Sequence, residues 1–216
     1  DTDKVPDSGP TVASRSLMIV GELVRLAVVR LRDEWKDGEE QIIEEHYNHP
    51  EFLIPFSLDE FRGDAYPTYS WSAQSVELEI DMLTGQHNVI GAYGSFDVGT
   101  PIDMNIVVGQ MEGGMLQGIG YSSMEFMDHD STGRIRNNSL SDYIIPTAMD
   151  VPVIKVQMHV NEYPYGPYGA KCAGELPNVG TAAAYIEAVE QILCKKVQHI
   201  PFTVDDTLKA ISSKED

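Results

Sequence analysis

The chain is short of positive charge: 15 Lys and Arg against 34 Asp and Glu give a formal net charge of -19 over 216 residues. Nucleic acid is excluded as a partner on that ground, because phosphates demand a basic surface. Acidic runs such as Asp33-Glu34, Glu39-Glu40 and Glu44-Glu45 read as solvated faces that keep the protein soluble. Only two cysteines occur, Cys172 and Cys194. Two make no disulfide framework, and no CxxC spacing is present, so the sequence reveals no zinc or iron–sulfur site of its own. No apolar run reaches the roughly 18 residues of a membrane span. The longest, from Leu17 to Leu31, is interrupted by Glu22, Arg25 and Arg30. No secretory signal pattern opens the chain, which leads us to expect a cytoplasmic protein.

What remains is an ordinary globular composition, 42% hydrophobic, long enough to bury a core. Pro6, Ser8, Gly9 and Pro10 read as an opening loop that looks like a continuation rather than a beginning. A helix is expected from about Ala13 to Trp35, with Val20, Leu23, Val24, Ala27, Val28 and Leu31 on one face and Gly38 as a stop. A second amphipathic stretch runs from Glu39 to about Tyr47, followed by an irregular segment from Pro50 to Pro67. Val76 to Met82 alternates as a half-buried strand does, Thr84-Gly85-Gln86 turns, and Val89 to Phe96 returns. Further expectations are a glycine-rich helix from Val107 to Gly120, a loop over Asp142 to Pro146 and a strand from Val153 to Val160. A helix from Thr181 to Cys194 presents Ala182, Ile186, Val189 and Leu193. A short helix ends near Ile211, and Ser212 to Asp216 should fray. The irregular alternation points to an α+β fold, helices on a mixed sheet, without a clear linker and with at most two sub-layers over 1–216.

Three segments carry chemistry. Gly9-Pro10-Thr11-Val12-Ala13-Ser14-Arg15-Ser16 opens a helix, where N–H groups and hydroxyls suit either an anion or ordinary capping. Gly109-Gln110-Met111-Glu112-Gly113-Gly114-Met115-Leu116-Gln117-Gly118-Ile119-Gly120 lacks the GxGxxG spacing of a nucleotide loop. It reads as a closely packed helix with Met111, Met115 and Ile119 inward, or as a glycine face offering Gln110 and Gln117 to a heterocycle. In Ala170-Lys171-Cys172-Ala173-Gly174-Glu175-Leu176-Pro177, Glu175 is either a solvated loop residue or a carboxylate in a water-poor turn. Burial there would raise its pKa towards that of a general base.

In this order and spacing the three motifs resemble the xanthine dehydrogenase/aldehyde oxidase family of molybdenum hydroxylases, over essentially the whole chain. The likeness is to the C-terminal part of the molybdopterin-binding subunit. The resemblance implies that Ala13, Ser14, Arg15 and Ser16 contact the molybdenum centre and its pterin. It implies that Gln110 reaches the molybdopterin, that Lys171 and Gly174 shape the loop, and that Glu175 is the base activating a molybdenum-bound hydroxide. No side chain of this chain is expected to ligate the metal. Cys172 departs from the small residue usual in the family; tolerated packing and a local redox role both stay open. The implied cofactor is molybdenum–molybdopterin, including its cytosine dinucleotide form, with FAD and 2Fe–2S clusters on other domains or subunits. The implied partners are the remaining half of the molybdopterin-binding subunit, those redox components and a small-molecule substrate. That substrate is an N-heterocycle or aldehyde, with a xanthine-like purine first. The isolated chain is expected to be inert; a non-catalytic scaffold that keeps the fold is the alternative.

Overall fold

A computed structural model describes residues 3–5 and 10–213. The chain divides into two compact units. The first comprises the described residues of Asp1–Trp71 with Asp97–Met104 and His159–Gly174; the second comprises Ser72–Phe96, Asn105–Met158 and the described residues of Glu175–Asp216.

The second unit is built on a hairpin, β1 (Trp71–Ile80) and β2 (His87–Asp97), with β3 (Val153–His159) beside β2 in the order β1-β2-β3. Along β1, Val76, Leu78 and Ile80 are half-buried while Ser75, Glu77 and Glu79 are exposed, as the alternation predicts. The turn forms because the Asp81 carboxylate accepts the N–H groups of Leu83 at 2.8 Å and Thr84 at 3.1 Å. Gly85 supplies the left-handed step, at φ 71°.

Helix α2 (Met104–Ser123) keeps five glycines because it is held from both sides. Met111, Met115 and Ile119 are buried as expected, and the Met115 sulfur lies by Gly94 of β2. On another side α3 (Leu176–Leu193) comes close. A methyl on Gly114 would collide with Pro177, and one on Gly118 would sit 2.7 Å from Thr181 Cβ. These contacts advance together along both helices, so α2 and α3 run parallel. The buried stripe of α3 is Pro177, Thr181, Tyr185, Val189 and Leu193. Val189 and Leu193 are buried as expected, while Ala182 and Ile186 are half-buried beside the fully buried Thr181 and Tyr185. The last helix, α4 (Val204–Ser212), opens on a reciprocal cap between Thr203 and Asp206. His87 of β2 joins these elements: its ring nitrogens lie 2.5 Å from Tyr185 Oη and 2.7 Å from Thr207 Oγ1.

The first unit departs more from expectation. The helix expected from Ala13 begins as a wide π-type turn at Ser16–Gly21 and continues as α1 (Glu22–Asp33), ending before Trp35. Ala13 and Ser14 are left-handed, at φ 47° and 55°, which no α-helix accommodates. Of the expected apolar face, Val24 and Val28 are 57% and 59% exposed. Glu39 to Tyr47 forms no helix; Gln41, Ile43 and Glu45 are half-buried between exposed neighbours, the period of an extended chain. Pro50 to Pro67 is irregular as expected, with turns, bends and an isolated bridge between Ser57 and Arg62. Pro6, Ser8 and Gly9 of the opening loop, and the end of the expected frayed tail, lie outside the described residues.

Candidate cofactor and catalytic site

In the first unit the Ala13–Ser16 segment is a tight turn, closed by Arg15 N–H on the Val12 carbonyl at 2.9 Å. Left-handed non-glycine residues in succession are costly and persist where surroundings impose them. Here the surroundings are the third motif. Ser14 Oγ accepts the N–H of Ala173 at 3.0 Å and of Gly174 at 3.2 Å. Ordinary capping is therefore not what these hydroxyls do: the residue entering the helical turn is Arg15, without a side-chain cap. Ser16 Oγ donates to Thr11 Oγ1 at 3.2 Å. Arg15 is half-buried and lines a cavity of about 450 Å³ with Met18, Tyr47, His49, Tyr66 and Cys172. Burial raises the Tyr47 phenol pKa there, and the Arg15 charge opposes the rise.

The loop before Glu175 is held again further back. Lys171, 5% exposed, donates from Nζ to Asp97 Oδ2 at 2.8 Å. Asn161 donates to the same oxygen at 2.9 Å, and Gly99 N–H to Oδ1 at 3.1 Å. Burial works against the Asp97 charge, but these donors hold its carboxyl below the usual range. Ser70 Oγ donates to the Cys172 carbonyl at 2.7 Å and lies 3.1 Å from its thiol. The thiol thus faces a hydroxyl partner. Asp97, Asn161 and Ser70 escaped sequence reasoning. A lysine between Ala170 and Cys172 was a usable signal, since a buried ammonium needs an acid elsewhere.

In the second unit Gln110 is exposed on α2, with Gly109, Gly113 and Gln117 exposed on the same helix. A methyl on Gly109 or Gly113 would meet nothing within 4 Å, unlike Gly114 and Gly118. The motif's glycines thus serve two ends, close helix packing and open backbone. Glu175 is the residue entering α3 and makes no capping bond. It is exposed among the described residues, the solvated one of the two readings its sequence left open. Because α2 and α3 are parallel and Gly114 meets Pro177, Gln110 and Glu175 lie towards the same end of that pair. Among the described residues no group of three or more His, Cys, Asp and Glu side chains is placed to hold a metal ion.

A family model described as molybdopterin cofactor-binding domain matches residues 39–152. This chain belongs to that family, within the molybdenum hydroxylases. The carbon monoxide dehydrogenase large chain of Hydrogenophaga pseudoflava is 34% identical over 122 residues, 56% of this chain and 15% of that protein. The xanthine dehydrogenase/oxidase of Gallus gallus is 28% identical over 206 residues, 85% of this chain and 15% of that protein. Among solved structures, quinoline 2-oxidoreductase of Pseudomonas putida 86 superimposes with a TM-score of 0.60 and 32% identity, over 63% of this chain and 18% of that one. Aldehyde oxidoreductase of Desulfovibrio desulfuricans ATCC 27774 shares the fold, with a TM-score of 0.81 over 97% of this chain and 24% of that one, at 23% identity. The α+β architecture with its mixed sheet is that of a molybdopterin-binding domain. This molybdenum hydroxylase chain spans at most about a quarter of the relatives just described. No described helix is long and apolar enough to cross a membrane.

Proposed function

We propose that this chain supplies the proton-handling carboxylate, Glu175, and part of the cofactor cradle of a molybdenum hydroxylase. One observation carries the reading: the Ser14 hydroxyl ties the Ala13–Ser16 turn to the backbone immediately before Glu175. Two motifs 159 and 160 residues apart are thereby one local structure.

The residues present fit a flat, polar cofactor. Among the described residues a methyl at Gly174 would meet Ser14 Oγ alone, at 3.6 Å, so no side chain crowds the loop there. Gly109 and Gly113 do the same beside Gln110, whose amide both donates and accepts. The turned backbone at Ala13 and Ser14 presents N–H groups of the kind that hold anionic groups. Ala13, Ser14, Arg15 and Ser16 would contact the cofactor, as would Gln110, with Lys171 and Gly174 shaping the loop. When bound, molybdenum–molybdopterin supplies the two-electron redox chemistry and polarises the attacking oxygen. The Glu175 carboxylate would accept the proton released when a substrate is hydroxylated at an electron-poor carbon. Its exposure means that the wall excluding water comes from other polypeptide, the remaining half of the molybdopterin-binding subunit. Exposed Ile42, Ile54, Leu58 and Phe61 offer that polypeptide an apolar surface.

The substrate class is an N-heterocycle or an aldehyde. A xanthine-like purine is the first to test, beside aldehydes, since relatives are named for xanthine, aldehydes, quinoline and carbon monoxide. The reading extends to a cytoplasmic assembly in which 2Fe–2S and FAD components on other domains or subunits would take the electrons, and in which the pterin would include the cytosine dinucleotide form. The test is Glu175→Gln in the assembled enzyme. Turnover falls at least ~100- to 10,000-fold, the usual loss for a general base, while molybdenum and pterin stay bound. Near-normal turnover refutes the assignment; a wild-type complex without molybdenum and pterin favours the scaffold.

A further inference from the structure

We propose that Asp97 is a positioning residue for the Glu175 loop, acting through Lys171. The proposal rests on Glu175 being the base.

The geometry is that of a stitched seam. Lys171 N–H donates to the Val98 carbonyl at 2.9 Å, and Thr100 N–H to the Gly169 carbonyl at 3.0 Å. Gly99 pairs with Ala170 across the seam. Gly99 is left-handed, at φ 67°, and a methyl there would collide with the Gly169 carbonyl. Backbone bonds alone set the register of such a seam. The side-chain pair decides something else: where the buried ammonium rests. Lys171 and Asp97 are 5% and 12% exposed, so neither charge is discharged into water. Asp97 is itself locked by Asn161 and by Gly99 N–H, and so offers a fixed oxygen.

Lys171 is separated from Gly174 by two residues, and Ser14 grips Ala173 and Gly174. The segment leading into Glu175 is therefore anchored at its stem by a charge pair and at its tip by two amides. Removing the charge of Asp97 leaves a buried ammonium uncompensated. Lys171 must then turn to solvent and draw the backbone of residues 171–173 with it. Displacement of a reacting group by about 1 Å can cost ~100-fold in rate.

The test is Asp97→Asn in the assembled, cofactor-loaded enzyme, read by kcat, KM, molybdenum and pterin content, and amide hydrogen exchange at residues 171–174. The expected result is a fall of kcat of ~100-fold at near-constant KM and cofactor content. Exchange at Ala173 and Gly174 accelerates, and Asp97→Glu recovers part of both. The double variant Asp97→Asn/Lys171→Met falls no further than Asp97→Asn, since the two act as one pair. Near-wild-type kcat, or unchanged exchange at both amides, overturns the proposal. So does a loss of activity that only follows loss of cofactor. If Asp97→Asn does not fold, Asn161→Ala removes one exposed donor from the same carboxylate. It gives a smaller fall of kcat and the same exchange signature, and absence of both overturns the proposal. Should Glu175→Gln stay active while Asp97→Asn frees the two amides, the base assignment fails and the tie between Asp97 and the loop stands.

Discussion

Substituting alanine for glycine on α2 should change stability differently at two positions five residues apart, Gly113 and Gly118. In a helix interior the exchange by itself stabilises by about 1 kcal/mol, because glycine loses the most backbone freedom on folding. At Gly113 nothing lies within 4 Å of the added methyl, so Gly113→Ala keeps that gain, about 0.5–1 kcal/mol. At Gly118 the methyl would stand 2.7 Å from Thr181 Cβ and 3.1 Å from the Asn178 carbonyl oxygen. Neither can rotate away: one oxygen is backbone, and the Thr181 hydroxyl is engaged by Gln74 and by the Pro177 carbonyl. The helices must separate, at a strain of about 1–3 kcal/mol, which cancels or exceeds the propensity gain. The two variants should thus differ by about 1–3 kcal/mol. For a protein of this size each kcal/mol moves the thermal midpoint by about 2–4 °C. Thermal and urea denaturation of the protein, read by circular dichroism, measure the split. Equal stabilisation by both variants would refute parallel packing of α2 and α3 through Gly118. Gly113→Ala carries a second expectation: pterin content of the assembled enzyme falls although the fold is more stable. Unchanged content would show that the open glycine does not face the cofactor.

Two further perturbations address the remaining hydrogen bonds. Ser14→Ala removes the acceptor of two N–H groups, at a cost of about 0.5–1.5 kcal/mol for each bond; exchange at Ala173 and Gly174 should accelerate while the α2 core amides hold, and unaltered exchange at those two sites would refute the tie. His87 is neutral in its network, and burial lowers its pKa from the ordinary 6.5. An unfolded chain therefore binds a proton that the folded one resists. The His87 contribution to stability is complete above about pH 6.5 and is lost as pH falls through the lower folded value. Denaturation midpoints followed downward from neutral pH should decline over that window. The decline should flatten in His87→Gln, and an identical pH slope in that variant would remove His87 as the cause.

Periodicity located β1, β2, β3, α2 and α3, with ends displaced by up to five residues, because their apolar spacing reports a face buried against a neighbour in the same unit. It failed at Ala13–Trp35 and Glu39–Tyr47. There the helical pattern describes surface that this chain leaves open, and local geometry is set by long-range contacts such as Ser14 on Ala173 and Gly174. The candidate site was legible as three motifs, since glycine, glutamine and carboxylate at those spacings form a recognisable combination. What joins the motifs was not. The Asp97–Lys171 pair and the Ser14 bonds connect residues 74, 159 and 160 positions apart, and no local pattern encodes such a separation.

By itself, then, the sequence determined the charge balance, the elements of the hairpin and helix pair, and the family. Only the tertiary structure decided which glycines are packed and which are open. It alone showed that Ser14 holds a loop rather than a helix end, and that Glu175 stands exposed. The physical reason is that burial, ion pairing and backbone strain are properties of neighbours in space, and a chain lists only its neighbours in order.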